Sequence, residues 1–194
     1  IRTVYKVNGA LTLNTLFNSP LGKARIGLHY ALMRAGPMSM APSQFGMFTK
    51  SDPALETPDL EYHVQPLSTD RLGDPLHRYP AITVSVCNLR PESRGSVHAQ
   101  TAAPAEQPLI KLNYLSAQRD KDVALASVRQ ARRIMTAKAL ARFNPEEILP
   151  GLAVDSDDEL LQAIGNIATT IFHPVGTCRM GVDDEAVVDP RLRL

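Results

Sequence analysis

Apolar positions recur along this chain with two periods, and the change from one to the other marks its elements. Ile1–Val7 reads as a short strand. Ser19-Pro20 then opens a helix, because serine accepts from free N–H groups and proline costs nothing where an N–H has no partner. Leu21, Ala24, Leu28, Ala31 and Leu32 follow on one helical face, and Gly36 marks the stop. Residues 37–58 hold four prolines and three methionines without either period, which predicts an irregular course over a surface or site. Met38, Met40 and Met47 read as adaptable apolar fillers.

Period-two alternation takes over next. Leu60, Tyr62 and Val64 alternate with Glu61, His63 and Gln65, and Ile82, Val84 and Val86 with Thr83, Ser85 and Cys87. Arg90–Gly95 is a turn cluster, from which Ser96–Ala99 is expected to return as a hairpin partner; 101–108 reads as a loop. Helical spacing resumes over Asp120–Thr136, with Val123, Ser127, Val128, Ala131, Ile134 and Met135 on the buried side. Ala137–Phe143 is a shorter helical piece ended by Asn144-Pro145. Ser156 and Glu159 form a capping box for the last helix, whose apolar positions run from Leu160 to Ile171 and deliver the chain to His173. Pro174 forces the residue before it out of the α region, so the helix is expected to stop there. Strands first and helices later, without regular alternation, predict an α+β domain rather than a doubly wound sheet.

Composition narrows the function classes. The 194 residues suit one large domain; 44% apolar and 21% charged residues describe an ordinary globular protein. A net charge of +1 provides no global field toward nucleic acid or a membrane. The cluster Arg129, Arg132, Arg133, Lys138 and Arg142 reads as a solvated helix face. Cys87 and Cys178 are too few for a disulfide scaffold or a four-cysteine metal site; a bridge between them stays open, but reduced thiols better suit a cytoplasmic protein. No apolar run reaches the roughly 18 residues of a membrane span. No signal peptide is visible, and the chain, starting at Ile1, reads as a piece of something longer.

Candidate chemistry concentrates in Thr170–Gly181, T-I-F-H-P-V-G-T-C-R-M-G, where an imidazole, a backbone break and glycine turns coincide. On residue type alone, His173 is most simply a histidine at a helix end. Cys178, five residues on, lacks further ligands or an activating base and reads as packing. Glu61 and His63 point the same way on one strand, lining either a pocket or a solvated edge, and Arg90 precedes the turn. No G-x-G-x-x-G dinucleotide fingerprint exists.

The run H-P-V-G-T-C-R-M-G, the acidic residues after it and A-V-V-D-P-R-L-R-L closely resemble the C-terminal active-site segment of the glucose–methanol–choline (GMC) flavin oxidoreductases. The likeness is greatest to their choline-dehydrogenase-like branch, and it continues upstream in P-D-L-E-Y-H-V-Q-P, N-L-R-P-E-S-R-G-S-V and N-Y-L-S. It implies that residues 1–194 are a substrate-binding domain, a largely antiparallel sheet with helices on one side. The family's Rossmann-type FAD domain and C-terminal tail would lie outside this chain, and the isolated piece would be inactive. The implied reaction is oxidation of an alcohol such as choline to the aldehyde, with hydride passing to FAD. His173 would be the catalytic base, suited to it because an unperturbed imidazole titrates at about 6.5. Arg90 matches a position near the substrate pocket, Glu61 and His63 are further substrate candidates, and Val188 and Asp189 lie in a segment that approaches the flavin. The alternative is a stand-alone ligand-binding module that keeps the fold without redox activity. Which alcohol, which electron acceptor, and whether the protein is a homo-oligomer stay open.

Overall fold

The computed structural model describes residues 1–71, 73–173 and 175–194. Its frame is a sheet of five strands, β1 (Arg2–Lys6), β2 (Phe45–Thr49), β3 (Leu60–Gln65), β4 (Ala81–Asn88) and β7 (Glu146–Leu149). They lie in the order β2-β3-β4-β1-β7, and every pairing is antiparallel. A separate two-stranded ribbon pairs β5 (Ser96–His98) with β6 (Leu109–Lys111). The α+β expectation therefore holds.

Alternation in β3 and β4 places Leu60, Tyr62, Val84 and Val86 on one face, where they meet α3 (Gln118–Met135) through Val123, Ala131 and Met135. The hydroxyl of Tyr62 donates to the Ser127 carbonyl at 2.7 Å, which satisfies the one polar atom this ring buries. The opposite side of α3 gives Ala124 and Val128 to a second cluster with Leu160 and Ile164 of α4 (Asp157–Ile167). Sheet, α3 and α4 thus stack in that order, and α3 belongs to both cores. The expected buried face of α3 recurs in the structure, except that Ile134 is half-buried.

Five expectations need correction. Ser96–Ala99 does not return along β4. Residues 88–93 are pulled instead toward the head of α3, where Asp120 accepts from Asn88 Nδ2 at 3.1 Å and from the N–H groups of Glu92 and Ser93 at 2.9 and 2.8 Å. Gly95 then lies against the β6 end so closely that a Cβ would stand 2.1 Å from the Lys111 carbonyl oxygen. The last helix ends at Ile167, with Ala168 already extended, and the β-branched run Thr169–Ile171 does not continue it. The expectation for Pro174 lies outside the described residues.

Residues 37–58 contain a strand, β2, besides a 3₁₀ turn at Pro37–Ser39. The basic cluster on α3 is not uniformly solvated. Arg132 turns inward, its side chain 14% exposed, and grips Glu147 of β7, itself 1% exposed, through Nε at 3.0 Å and Nη2 at 2.9 Å. The last correction concerns α2 (Pro20–Met33), capped by Ser19 as expected and closed by Arg34 in the left-handed region. A stripe such as Leu21-Leu28-Leu32 ordinarily faces a core, yet here it faces outward. Gly22 and Ile26 form the inner side, because Gly22 touches α1 (Leu13–Phe17), and a Cβ there would come within 2.2 Å of the Leu16 carbonyl oxygen. That backbone approach fixes which way the helix is turned.

Candidate active site

The sheet face turned away from α3 carries the first group of candidates. Register sets Glu61 of β3 opposite Cys87 of β4 and His63 opposite Ser85. His63 Nε2 lies 3.2 Å from Glu61 Oε1, and each side chain is about a quarter exposed. Burial pushes the Cys87 thiol up, which keeps it neutral and leaves its neighbour Glu61 as the acidic group of this face. Ser85 and Cys87 were not singled out from sequence. The signal was there, since two consecutive alternating strands paired antiparallel must bring their polar faces together.

Arg90 is set apart from that pair. It lines a cavity of about 130 Å³ with Thr57, Asp59, Arg119 and Val123, at the head of α3. Within it Asp59, almost fully buried, accepts from Ser51 N–H at 2.6 Å and from Arg119 Nη2 at 3.4 Å. The turn bearing Arg90 is anchored by Asp120. Burial alone would push that carboxyl up, but hydrogen bonds from Ser93, Glu92 and Asn88 outweigh it and leave it below its ordinary value. A depressed pKa stabilises the fold above the unfolded value of about 3.9, and the contribution is lost as pH falls through the folded one. Acid unfolding of the wild type should therefore lose an increment below about pH 4 that Asp120→Asn lacks. At neutral pH that variant should cost about 1–3 kcal/mol, seen in denaturant melts.

The third group is the C-terminal segment. Thr170 Oγ1 accepts from the Phe172 N–H at 2.9 Å, and Phe172 sits at φ +64°, a conformation that disfavours a bulky residue. This local turn presents His173 to solvent. Gly176, at φ +97°, turns the chain again. Residues 179–189 then close on themselves: Val187 N–H donates to the Arg179 carbonyl at 2.8 Å, and Gly181 N–H to that of Val188 at 3.0 Å. Asp189 caps the final turn, accepting from the N–H groups of Arg191 and Arg193 at 2.8 and 3.0 Å. Arg193 holds its carboxyl below the ordinary range. Cys178 is exposed, which overturns the packing reading; both cysteines are free thiols.

A model of the GMC oxidoreductase family matches residues 91–194, more than half of the chain. The chain belongs to the GMC oxidoreductase family. Among curated GMC relatives, an alcohol dehydrogenase (acceptor) of Pseudomonas putida is 39% identical over 165 residues, 85% of this chain and 30% of that protein. An oxygen-dependent choline dehydrogenase of Brucella ovis is 36% identical over 174 residues, 89% of this chain and 32% of that one. The chain thus spans about a third of the length of these relatives. Among solved structures, an Aspergillus oryzae formate oxidase superposes on all of the chain and 39% of its own, at a TM-score of 0.88 and 23% identity, which shows the common GMC fold. A pyridoxine 4-oxidase from Mesorbium loti, 28% identical, covers 79% of this chain and 30% of its own at a TM-score of 0.68.

FAD, the cofactor of GMC enzymes, makes two demands of a protein: donors around its pyrophosphate and an apolar surface beside its ring. The described residues fit the second at the C-terminal segment. For the first, α4 opens on Asp157, Asp158 and Glu159, and the first turn of α3 holds Asp120, so both repel a pyrophosphate, while α2 opens without an acidic residue. In the segment that bears His173, by contrast, Phe172, Val175 and Met180 are all more than half exposed. The polar backbone atoms of Val188 are engaged within the segment, so a contact from Val188 to the ring would be made by its side chain.

Proposed function

We propose that this chain is the substrate-binding part of an FAD-dependent GMC alcohol oxidoreductase whose Rossmann-type FAD domain lies elsewhere in the protein. The observation that carries the reading is an exposed imidazole held on a turned segment, with apolar side chains bare around it. An exposed apolar surface next to a basic group is the character of a binding surface, and the ring of a flavin with an alcohol beside it fits both its apolar and its basic parts. When bound, FAD accepts the hydride released from the carbinol carbon.

The work of this chain is proton handling and orientation. An unprotonated ring nitrogen of His173 takes the hydroxyl proton, so that the oxygen can form the carbonyl as the hydride departs. Once the flavin ring covers them, Phe172 and Val175 would keep water from that nitrogen, which strengthens every charge interaction there. Glu61 supplies negative charge on the open sheet face and would attract a cationic alcohol such as choline, with His63 fixing its orientation. Arg90 would act at the edge of the substrate space, through the turn that Asp120 anchors. Val188 would meet the ring, and Asp189 would hold the backbone that places it.

Full-length protein, purified and mixed anaerobically with choline and with uncharged primary alcohols, is expected to show bleaching of its flavin absorbance. A preparation that carries no flavin and takes up none from added FAD sinks this reading and leaves a ligand-binding module in its place.

A further inference from the structure

A polar constellation without a role in the chemistry above lies where the chain passes from β3 to β4. His77 Nδ1 is 2.8 Å from Ser68 Oγ, and its Nε2 is 3.0 Å from Asp70 Oδ1. A carboxylate only accepts, so Nε2 carries a proton; in the neutral ring Nδ1 is then bare, and the Ser68 hydroxyl donates to it. Asn14 of α1 holds the serine in turn. Its Nδ2 lies 3.1 Å from Ser68 Oγ and 3.0 Å from the His77 carbonyl oxygen, and its Oδ1 accepts from the Ser68 N–H at 2.8 Å. Asn14 and Ser68 are fully buried, so this serine, though it touches a histidine, cannot reach a substrate as a nucleophile. The array is a clasp. His77 N–H also donates to the Ser68 carbonyl at 3.0 Å, and Asn18 Nδ2 to the His77 carbonyl at 2.8 Å. All these partners belong to this chain, and the clasp is closed whatever lies against its outer side.

The clasped segment reaches the sheet. Thr83 Oγ1 donates to the Leu67 carbonyl at 2.7 Å, and Arg2 Nη2 to the Thr69 carbonyl at 2.8 Å and to the Asp70 carbonyl. Register sets Gln65, Thr83 and Val4 in one row across β3, β4 and β1, and His63, Ser85 and Arg2 in the next row of the same face. Thr83 and Val4 are 1% and 2% exposed, whereas His63 and Glu61 are each about a quarter exposed. Cover therefore ends between two rows that stand about 7 Å apart. We infer that His77 is a positioning residue for the substrate face. Through Ser68 it holds Leu67–Arg71 down as the fixed wall beside His63. What the face binds rests on the reading above; the clasp itself does not. An alcohol seated at His63 meets this wall before and during reaction alike, so loosening the wall weakens binding and leaves the limiting rate.

The test compares full-length wild type with His77→Leu and Ser68→Ala by amide hydrogen exchange and by flavin reduction at rising concentrations of choline and of uncharged primary alcohols. In His77→Leu, exchange within 67–71 should speed up about tenfold while that of α3 and α4 stays as it was. The half-saturating alcohol concentration should rise about fivefold, with the limiting rate kept within about twofold. Ser68→Ala should shift both in the same direction, and it carries the comparison if His77→Leu does not fold. His77→Gln, whose amide can still accept from Ser68, should recover most of both changes. The inference is overturned if residues 67–71 exchange as in the wild type in both variants. It is overturned too if they exchange faster while half-saturation stays put, since the segment then borders no substrate. Failure of the redox reading shows differently, as a wild type whose flavin no alcohol reduces, and it takes the substrate role of His77 with it.

Discussion

His173→Ala in the full-length protein should slow anaerobic reduction of the bound flavin by about 10²–10⁴-fold, the range spanned by loss of a positioned acid–base group. The structure makes this a clean experiment. His173 is exposed on a turn that depends on Thr170 and Phe172 rather than on the imidazole, so unfolding should change by only about 0.5 kcal/mol or less. Added imidazole should restore part of the rate in the alanine variant and none in the wild type, a response that a merely structural histidine does not give. Equal rates in the two proteins would dismiss His173 as the base and leave the family assignment untouched.

Glu147→Ala should be the most destabilising single change. The carboxylate accepts two hydrogen bonds from Arg132, one from the Gly151 N–H at 3.1 Å and one from the Tyr5 hydroxyl at 3.3 Å. Burial, with this carboxylate alongside, pushes the Tyr5 phenol up and keeps it a neutral donor. Truncating one partner leaves a guanidinium facing an empty buried site, at a cost of about 3–5 kcal/mol. Removing both, as Arg132→Met with Glu147→Leu, should recover most of that loss, because two desolvated charges disappear together. Denaturant melts of the two singles and the double give the coupling; additive losses would show that the pair does not act as a unit.

These two sites differ in how far the sequence discloses them. α3 was legible because its apolar positions repeat over a long, strongly periodic segment, but nothing in that pattern separates Arg132 from its solvated neighbours. Its partner lies in β7, a four-residue strand, E-E-I-L, with too little alternation to be read as one. The stripe on α2 was legible and its direction was not, since direction depends on Gly22 meeting the Leu16 carbonyl across a helix turn. The end of α4 was misplaced because Ile171 stays in phase with a helix that has already stopped. Of the candidate site, residue patterns gave the polar alternation of β3, while the interest of His173 came from the resemblance of its segment to a family. Spacing alone cannot tell a histidine at a helix end from a base.

The position of α3 between two cores has a geometric consequence. Glu61 and His63 belong to the sheet that packs on one side of it, and the segment bearing His173 continues from α4, which packs on the other. The sheet and α4 therefore have no direct contact in these two cores, and their spacing is set by α3. A substitution that thickens α3 on either side, for example at Ala124 or Ala131, should push the sheet and α4 apart without touching any candidate site residue. The alanines of α3 are in that sense gauge blocks, and their small size sets a distance between elements that do not meet.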